Sequence, residues 1–206
     1  MKNEWLTTEA FWEECRRHPI DPIVRLLLTS DGTLIRQLQA ILLTPIEVAV
    51  QDQREILIDE EHASWIGLPA GEKGIQRKVW LTVRAPSATT PAPGPFNDGP
   101  TPAASGEKKV FAVSTFPLSG LKPDLHQEIS LGQKPIGRIL EERHLPTRRD
   151  RLEITRLLLP QIAEALGRPP GELFWARRYR LNISDQVSGV IFEAFSPSLF
   201  SSSSSH

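Results

Sequence analysis

The chain has 206 residues, 39% of them hydrophobic, with 24 basic and 25 acidic side chains. This length fits one large domain or two small ones, and the near-neutral charge gives no electrostatic case for binding nucleic acid or an anionic membrane. The single cysteine, Cys15, excludes an internal disulfide and a cysteine metal cluster. We therefore expect a cytoplasmic monomer with no signal segment and no membrane insertion.

Residue types that commonly hold cofactors are sparse in this chain. None of the five histidines has a partner at metal-ligand spacing, so no metal site is expected. A phosphate-cradling glycine loop and a dinucleotide glycine pattern are also missing from the sequence. If the protein is an enzyme, we expect it to work without a cofactor.

The N-terminal part of the chain predicts two helices and two short strands. The first helix begins at Thr7 or Thr8, runs to about residue 17 and is ended by Asp21-Pro22. The second begins near residues 31–33 and continues with apolar residues at helical spacing until Thr44-Pro45. Alternating polarity then predicts strands at 46–51 and 55–58.

The rest of the chain predicts a hairpin, further helices and two more strands. A clear strand at 75–84 and a returning strand at 109–116 flank a proline-rich segment, which we interpret as a mobile loop over 85–108. Loop and helix are expected from 118 to 140.

Helical spacing over 151–166 predicts a helix that Pro160 kinks or splits, and Thr147 is expected to cap a helix. Strands follow at 173–183 and 187–195, and the serine-rich tail at 201–206 is expected to be disordered. The pattern predicts an α+β fold, with one antiparallel sheet and helices packed on it, in a single domain over 1–200.

Two of the predicted strands each carry one charge on an apolar face. Arg77 shares its face with Ile75 and Val79, and Glu193 shares its face with Ile191 and Phe195. Successive strand side chains point to opposite faces, so both charges are expected to point inward. A buried charge needs a partner, so the two either form a structural ion pair or face a polar ligand inside the fold.

Three segments, in this order, resemble chorismate lyase (chorismate pyruvate-lyase). The first is the strand that contains Arg77, and the second, LGQKPIGRIL at 131–140, is similar to the family's LG-x-x-PLGR-x-L segment. The third, LFWARRYRL at 173–181 followed by IFEAFSPSLF at 191–200, resembles its W-x-RR-x-R strand and its E-x-F-x-P-x-S-P-L ending. Residues 26–39 also resemble the start of the family's second helix. The long proline-rich loop and an extra helix expected at about 155–166 are more like the cyanobacterial and plastid members.

The resemblance implies which residues bind the ligand. In the family, the corresponding arginine and glutamate contact the ring acid, together with backbone amides at a helix entry and within the PLG turn. Carried over, these positions are Arg77, Glu193, Leu34 and Ile136. Weaker candidates are Gly132 and Gly137, which let the main chain approach closely, and Arg178 and Arg180, which share a strand face. With Arg177, the last two are otherwise expected to be solvated strand charges.

The resemblance also implies an activity that needs no cofactor. Chorismate lyase removes enolpyruvyl from chorismate to give 4-hydroxybenzoate and pyruvate, and the product could feed ubiquinone, plastoquinone or a glycolipid. The expected partners are the small substrate and its aromatic-acid product, held in an enclosed site. An alternative is a non-catalytic domain of the same fold that binds an aromatic acid as an effector, because a fold does not fix a function.

Overall fold

Seven strands form one antiparallel sheet in the computed structural model, which describes residues 4–83, 106–131 and 134–200. In chain order the strands are β1 (Leu6–Thr7), β2 (Ile46–Leu57), β3 (Lys73–Val83), β4 (Glu107–Pro117), β5 (Thr147–Leu158), β6 (Leu173–Ile183) and β7 (Val187–Phe195). Their order across the sheet is β1-β5-β6-β7-β4-β3-β2. The predicted α+β class with a single antiparallel sheet is confirmed. Most of the predicted loop at 85–108, together with the tail at 201–206, lies outside the described residues.

Helices cover both faces of this sheet. They are α1 (Thr8–Arg17), α2 (Pro22–Thr29), α3 (Leu34–Leu42), α4 (Glu60–Ile66), α5 (Pro123–Leu131), α6 (Ile136–Glu142) and α7 (Pro160–Ala165), with a 3₁₀ turn at Pro197–Leu199. Over the described ranges, none of these helices has the length and apolar character that crossing a membrane requires.

The face of the sheet that carries Arg77 is called the front face here. Apolar residues of α1, α2 and α3 pack on one end of it, and those of α5 and α6 pack on the other end. On the back face, α7 covers Trp80 together with apolar residues of β6 and β7. Trp80 is only 3% exposed beneath this helix. The two apolar clusters of the front face are therefore separate, and a row of residues that runs across the strands lies between them.

Residues 147–158 form a strand, so the helix predicted from residue 151 and the helix cap predicted at Thr147 are both wrong. Both faces of β5 are covered: Ile154 is buried on the front face, and Thr155 is buried on the back face. Apolar residues on both faces remove the simple alternation of a strand and leave spacings that look helical. Pro160 is the first residue of the short helix α7, where a missing backbone N–H costs nothing, instead of a kink in a longer one.

Two helices were not predicted from the sequence, although both begin with an ordinary capping residue. Asp21 was interpreted as part of a helix break, but its carboxylate accepts a hydrogen bond from the Ile23 N–H at 2.7 Å and caps α2. Asp59 caps α4 by accepting from the His62 N–H at 2.8 Å. Asp followed by Pro, or by acidic residues, marks a helix start as well as a turn. The two strands predicted within 46–58 are one strand with a bulge.

Gly189 of β7 lies directly beneath the Phe116 ring, and a Cβ at this position would overlap that ring. We expect Gly189→Ala to lower the free energy of unfolding by about 1–3 kcal/mol, because Phe116 is fully buried and cannot move aside. Thermal unfolding should show Tm lower by about 3–10 °C. Gly171→Ala is the control, because a Cβ there meets open space. Equal Tm values for the two variants would contradict this packing.

Candidate functional site

Glu193 and Arg177 form a buried ion pair at the centre of the front face. They are opposite each other in the pairing of β7 with β6, with Arg177 fully buried and Glu193 5% exposed. Arg177 Nε donates to Glu193 Oε2 at 2.5 Å, and its Nη1 donates to the carbonyls of Leu27 and Ser30 at 2.6 and 2.9 Å. The expectation that Arg177 is a solvated strand charge is therefore wrong, because its strand position points it under the end of α2.

Tyr179 supplies a second hydrogen bond to the same carboxylate. Its hydroxyl donates to Glu193 Oε1 at 3.2 Å. Burial, and secondarily the negative charge of Glu193, raises the pKa of Tyr179 to about 12, so the phenol remains a donor at neutral pH. Each Glu193 oxygen accepts one bond in this arrangement, and a carboxylate oxygen can accept more than one. Glu193 can therefore still accept a hydrogen bond from a ligand.

Arg77 is buried on the same face but on a different strand. It is 2% exposed, and its Nη1 donates to the backbone carbonyl of Lys134 at 2.7 Å. Burial lowers the pKa of Arg77 to about 10, which leaves it charged at neutral pH. Both inward charges predicted from strand alternation are thus buried. The ion pair of Glu193, however, is with Arg177 and not with Arg77.

Strand register fixes the spacing between Arg77 and Glu193. Arg77 is opposite Ser114 of β4, and Glu193 is opposite Ala112 of the same strand. Two strand spacings sideways and two residues along place their Cα atoms about 12 Å apart. Ala112 and Ser114 lie between them, are small, and are only half-buried although β4 is a central strand. Small side chains therefore separate the two charged residues along the front face.

Arg77, Arg177 and Glu193 lie in the row between the two apolar clusters of the front face, and Tyr179 borders this row as a member of one cluster. We call Arg77, Arg177, Tyr179 and Glu193 the polar seam. On β3 and β7, the seam residues lie between members of the two apolar clusters. Water competes poorly for hydrogen bonds in such a location, so the bonds that a ligand forms there are strengthened.

Two helices begin beside the polar seam, at the backbone amides predicted to bind. Leu34 is the first residue of α3 and Ile136 is the first residue of α6, and neither helix has a side-chain hydrogen bond at its N-cap. Seam residues contact the chain segments that precede these two helices. Arg177 donates to the carbonyl of Ser30, before α3, and Arg77 donates to the carbonyl of Lys134, before α6. By contrast, α1, α2 and α4 are capped by their own side chains. Leu34 and Ile136 each therefore follow closely on a chain segment that a seam arginine contacts.

The weaker sequence candidates are not brought to this seam. Gly132 lies outside the described residues, and Gly137 is exposed in the first turn of α6. Arg178 and Arg180 do share a face, but it is the back face. There Arg178 pairs with Glu153 and Glu61, and Arg180 pairs with Asp150. These contacts link α4 and β5 to β6, which is a structural role.

Two depressions of the described surface lie away from the seam. One, of about 570 Å³, is lined by the α1–α2 junction with Arg156 and Trp175. The second, of about 410 Å³, lies between Lys108 and the end of α7. Within residues 4–83, 106–131 and 134–200, no group of three or more His, Cys, Asp or Glu side chains could hold a metal ion.

Arg177 and Tyr179 were missed as site residues, although the sequence holds a signal for Arg177. The two C-terminal strands are joined by a short turn, and counting outward from it pairs Arg177 with Glu193. Because Glu193 points inward, its register partner must do the same. The signal was obscured by three arginines in four residues, a composition that is typical of a solvated strand.

Comparison with solved structures supports the fold. PhnF from Mycobacterium smegmatis matches with a TM-score of 0.57 at 13% identity, over 81% of this chain and 64% of that chain. The effector domain of PhnF matches with a TM-score of 0.53 at 13% identity, over 80% of this chain and 88% of that one. A GntR-family transcriptional regulator from Bacillus cereus matches at 0.52 and 10% identity, over 78% and 98%. At these identities the likeness shows the fold alone.

Sequence comparison identifies the family. A comparison with curated protein sequences finds no match for this chain. The model of the family described as chorismate pyruvate-lyase Rv2949c-like matches residues 100–202, which is half of the chain. The match includes Ile136, Arg177, Tyr179 and Glu193, and it leaves Arg77 and Leu34 outside. The chain therefore belongs to the Rv2949c-like chorismate pyruvate-lyase family.

Proposed function

We propose that this protein is a chorismate pyruvate-lyase, which converts chorismate to 4-hydroxybenzoate and pyruvate without a cofactor. The observation that carries the proposal is the polar seam, in which buried arginines and an ion-paired glutamate share one face between two apolar clusters. Membership of the family supports the same reaction. Buried charges of this kind are costly to keep, and an anionic substrate would repay that cost.

In the proposed complex, the ring lies over Ala112 and Ser114 of β4. Arg77 binds a substrate carboxylate with its planar fork of donors. The backbone N–H group of Ile136 completes that end of the site, because Arg77 bonds to the segment before it, and the N–H group of Leu34 binds nearer to the Arg177–Glu193 pair. Glu193 accepts a hydrogen bond from the ring hydroxyl, at the other end of the ring. Orientation and charge complementarity then provide the catalysis, because aromatisation of the ring supplies the driving force.

The fate of the ring proton allows two routes. Glu193 could accept it as a base, or it could move directly to the departing enolpyruvyl group in a cyclic step. In either route, Glu193 accepts hydrogen bonds from Arg177 Nε and from the Tyr179 hydroxyl, which hold its carboxylate in place. A solvent isotope effect on turnover, compared between the wild type and Glu193→Gln, distinguishes the routes.

A second candidate function is non-catalytic binding of an aromatic acid. The observation in its favour is that the effector domain of PhnF shares this fold. Such a domain needs only to hold its ligand, and the polar seam would do so. Because the fold does not decide between the two functions, turnover has to be measured.

The test of the proposed function is to incubate the wild-type protein with chorismate and to quantify both products by chromatography. A lyase gives 4-hydroxybenzoate and pyruvate in equal amounts, at a rate above that without protein. No product, with Tm raised by chorismate or 4-hydroxybenzoate, would replace the proposal with the binding module. No product and no shift in Tm would contradict both functions.

The proposal extends to the pathway that uses the product and to the branch of the family that the chain resembles. We propose that the product serves quinone-type biosynthesis, in a cytoplasmic, monomeric enzyme. The resemblance to cyanobacterial and plastid members loses one of its two supports, because the segment expected to be an inserted helix is mostly strand β5. The other support, the proline-rich segment, lies outside the described residues.

A further inference from the structure

Among the residues that the structure describes, Arg149 is a front-face arginine that takes part in no ion pair. Arg149 of β5 is opposite Leu181 of β6, and Leu181 belongs to the front-face core, so Arg149 shares the face of the polar seam. Its guanidinium carbon lies 5.2 Å from the centroid of the Tyr179 ring. This is the same tyrosine whose hydroxyl donates to Glu193. Arg149 is therefore linked through one side chain to the carboxylate of the seam.

The neighbouring arginines have partners that Arg149 lacks. Arg148 pairs with Asp150, Arg178 with Glu153, and Arg180 with Asp150. Among the residues that the structure describes, no carboxylate lies within ion-pair distance of Arg149, and its buried Nε has no hydrogen-bond partner. A buried donor without a partner costs free energy, which a ligand can recover by accepting a hydrogen bond.

The charges near the seam favour a ligand with two carboxylates. Arg77, Arg149 and Arg177 carry three positive charges against the one negative charge of Glu193, a surplus of two. Arg77 lies on β3 and Arg149 on β5, on opposite sides of Glu193 in the sheet order. A ligand whose hydroxyl is bound by Glu193 can therefore present one carboxylate to each side.

We propose that Arg149 binds the side-chain carboxylate of the substrate, the one that departs with the enolpyruvyl group, while Arg77 binds the ring carboxylate. This assignment rests on the proposed function and adds a specificity-determining residue to it. It predicts that the site distinguishes a dicarboxylate from the monocarboxylate product, and that Arg149 carries most of the difference.

The experiment uses two stable ligands that differ by one carboxylate. These are 4-hydroxybenzoate and 3-(carboxymethoxy)-4-hydroxybenzoate, and calorimetry gives Kd for each without need of turnover. We expect Arg149→Gln to weaken binding of the dicarboxylate about 10- to 100-fold, as for loss of a hydrogen bond to a charged group. Binding of 4-hydroxybenzoate should change less than about twofold, since only the additional carboxylate contacts Arg149.

Arg156→Gln is a matched control on the same strand. Arg156 also lies over an aromatic ring, with its guanidinium carbon 5.2 Å from the Trp175 centroid, and its buried Nε also has no partner among the described residues. It is opposite Trp175, on the side of the ion pair away from Tyr179, so both affinities should remain at the wild-type value. If Arg149→Gln weakens both ligands equally, or neither, the assignment of Arg149 is wrong while the proposed function stands. If the wild type binds neither ligand, both are wrong.

Discussion

Replacing Arg177 with methionine is expected to lower the free energy of unfolding by about 3–5 kcal/mol, the largest effect on stability that we predict. The substitution leaves Glu193 buried without its ion-pair partner, and it leaves the carbonyls of Leu27 and Ser30 without the donor they share. Urea unfolding monitored by tryptophan fluorescence measures the change as a lower midpoint at constant slope. Arg16→Met, on the exposed side of α1, is the control and should not change the midpoint.

A double substitution separates the lost pair from lost packing. In Arg177→Met with Glu193→Met, neither charge remains buried, and well-packed apolar residues often replace a buried pair without loss. Part of the stability should therefore return, because the carbonyls of Leu27 and Ser30 still lack their donor, and activity should not return. If Arg177→Met is as stable as the wild type, or if the double variant is less stable than the single one, then the ion pair is not what holds Glu193 in place.

Replacing Arg77 with alanine is expected to reduce kcat/KM for chorismate by at least about 10²–10³-fold, the largest effect on activity that we predict. The guanidinium is buried and aligned by the carbonyl of Lys134, so water cannot replace its fork of donors. Arg77→Lys retains the charge but not the planar fork, and should recover only part of the rate. Steady-state formation of pyruvate measures both variants.

Lys78→Ala is the matched control for Arg77→Ala. It removes a cation from the next position of the same strand, on the opposite face, and should leave kcat/KM unchanged. Thermal unfolding of each variant checks that the fold survives. A rate for Arg77→Ala near that of the wild type, in a folded protein, would contradict the placement of Arg77 in the site.

Several elements could be predicted from the sequence, whereas strand β5 and helices α2 and α4 could not. The helix of residues 8–17 and the strands around Arg77 and Glu193 show clean periodicity, and their predicted bounds agree with the structure. Strand β5 is covered on both faces, so its apolar pattern suggested a helix. Helices α2 and α4 are short and begin at aspartates that also suit turns.

The part of the candidate site that depends on the alternation within a single strand could be predicted from the sequence. Alternation places Arg77 and Glu193 on an inward face, and the family resemblance adds Leu34 and Ile136. Which buried charge pairs with which depends on the order and register of strands, and a strand's own alternation contains neither. The short turn between β6 and β7 does indicate the register that pairs Arg177 with Glu193, but the cluster of arginines obscures it, and the bond from Tyr179 requires the sheet itself. Arg149 likewise requires the pairing of β5 with β6, in a segment predicted to be helical.

The most direct test of the site is a crystal structure of the wild-type protein with 4-hydroxybenzoate. We predict that the ring lies over Ala112 and Ser114, with its carboxylate on Arg77 and its hydroxyl on Glu193. The Arg177–Glu193 pair should be retained in the complex. Two results would contradict this prediction. The ligand could bind elsewhere, for example in the depression beside Arg156 and Trp175, or Arg77 could contact Glu193 directly and leave no space for the ring.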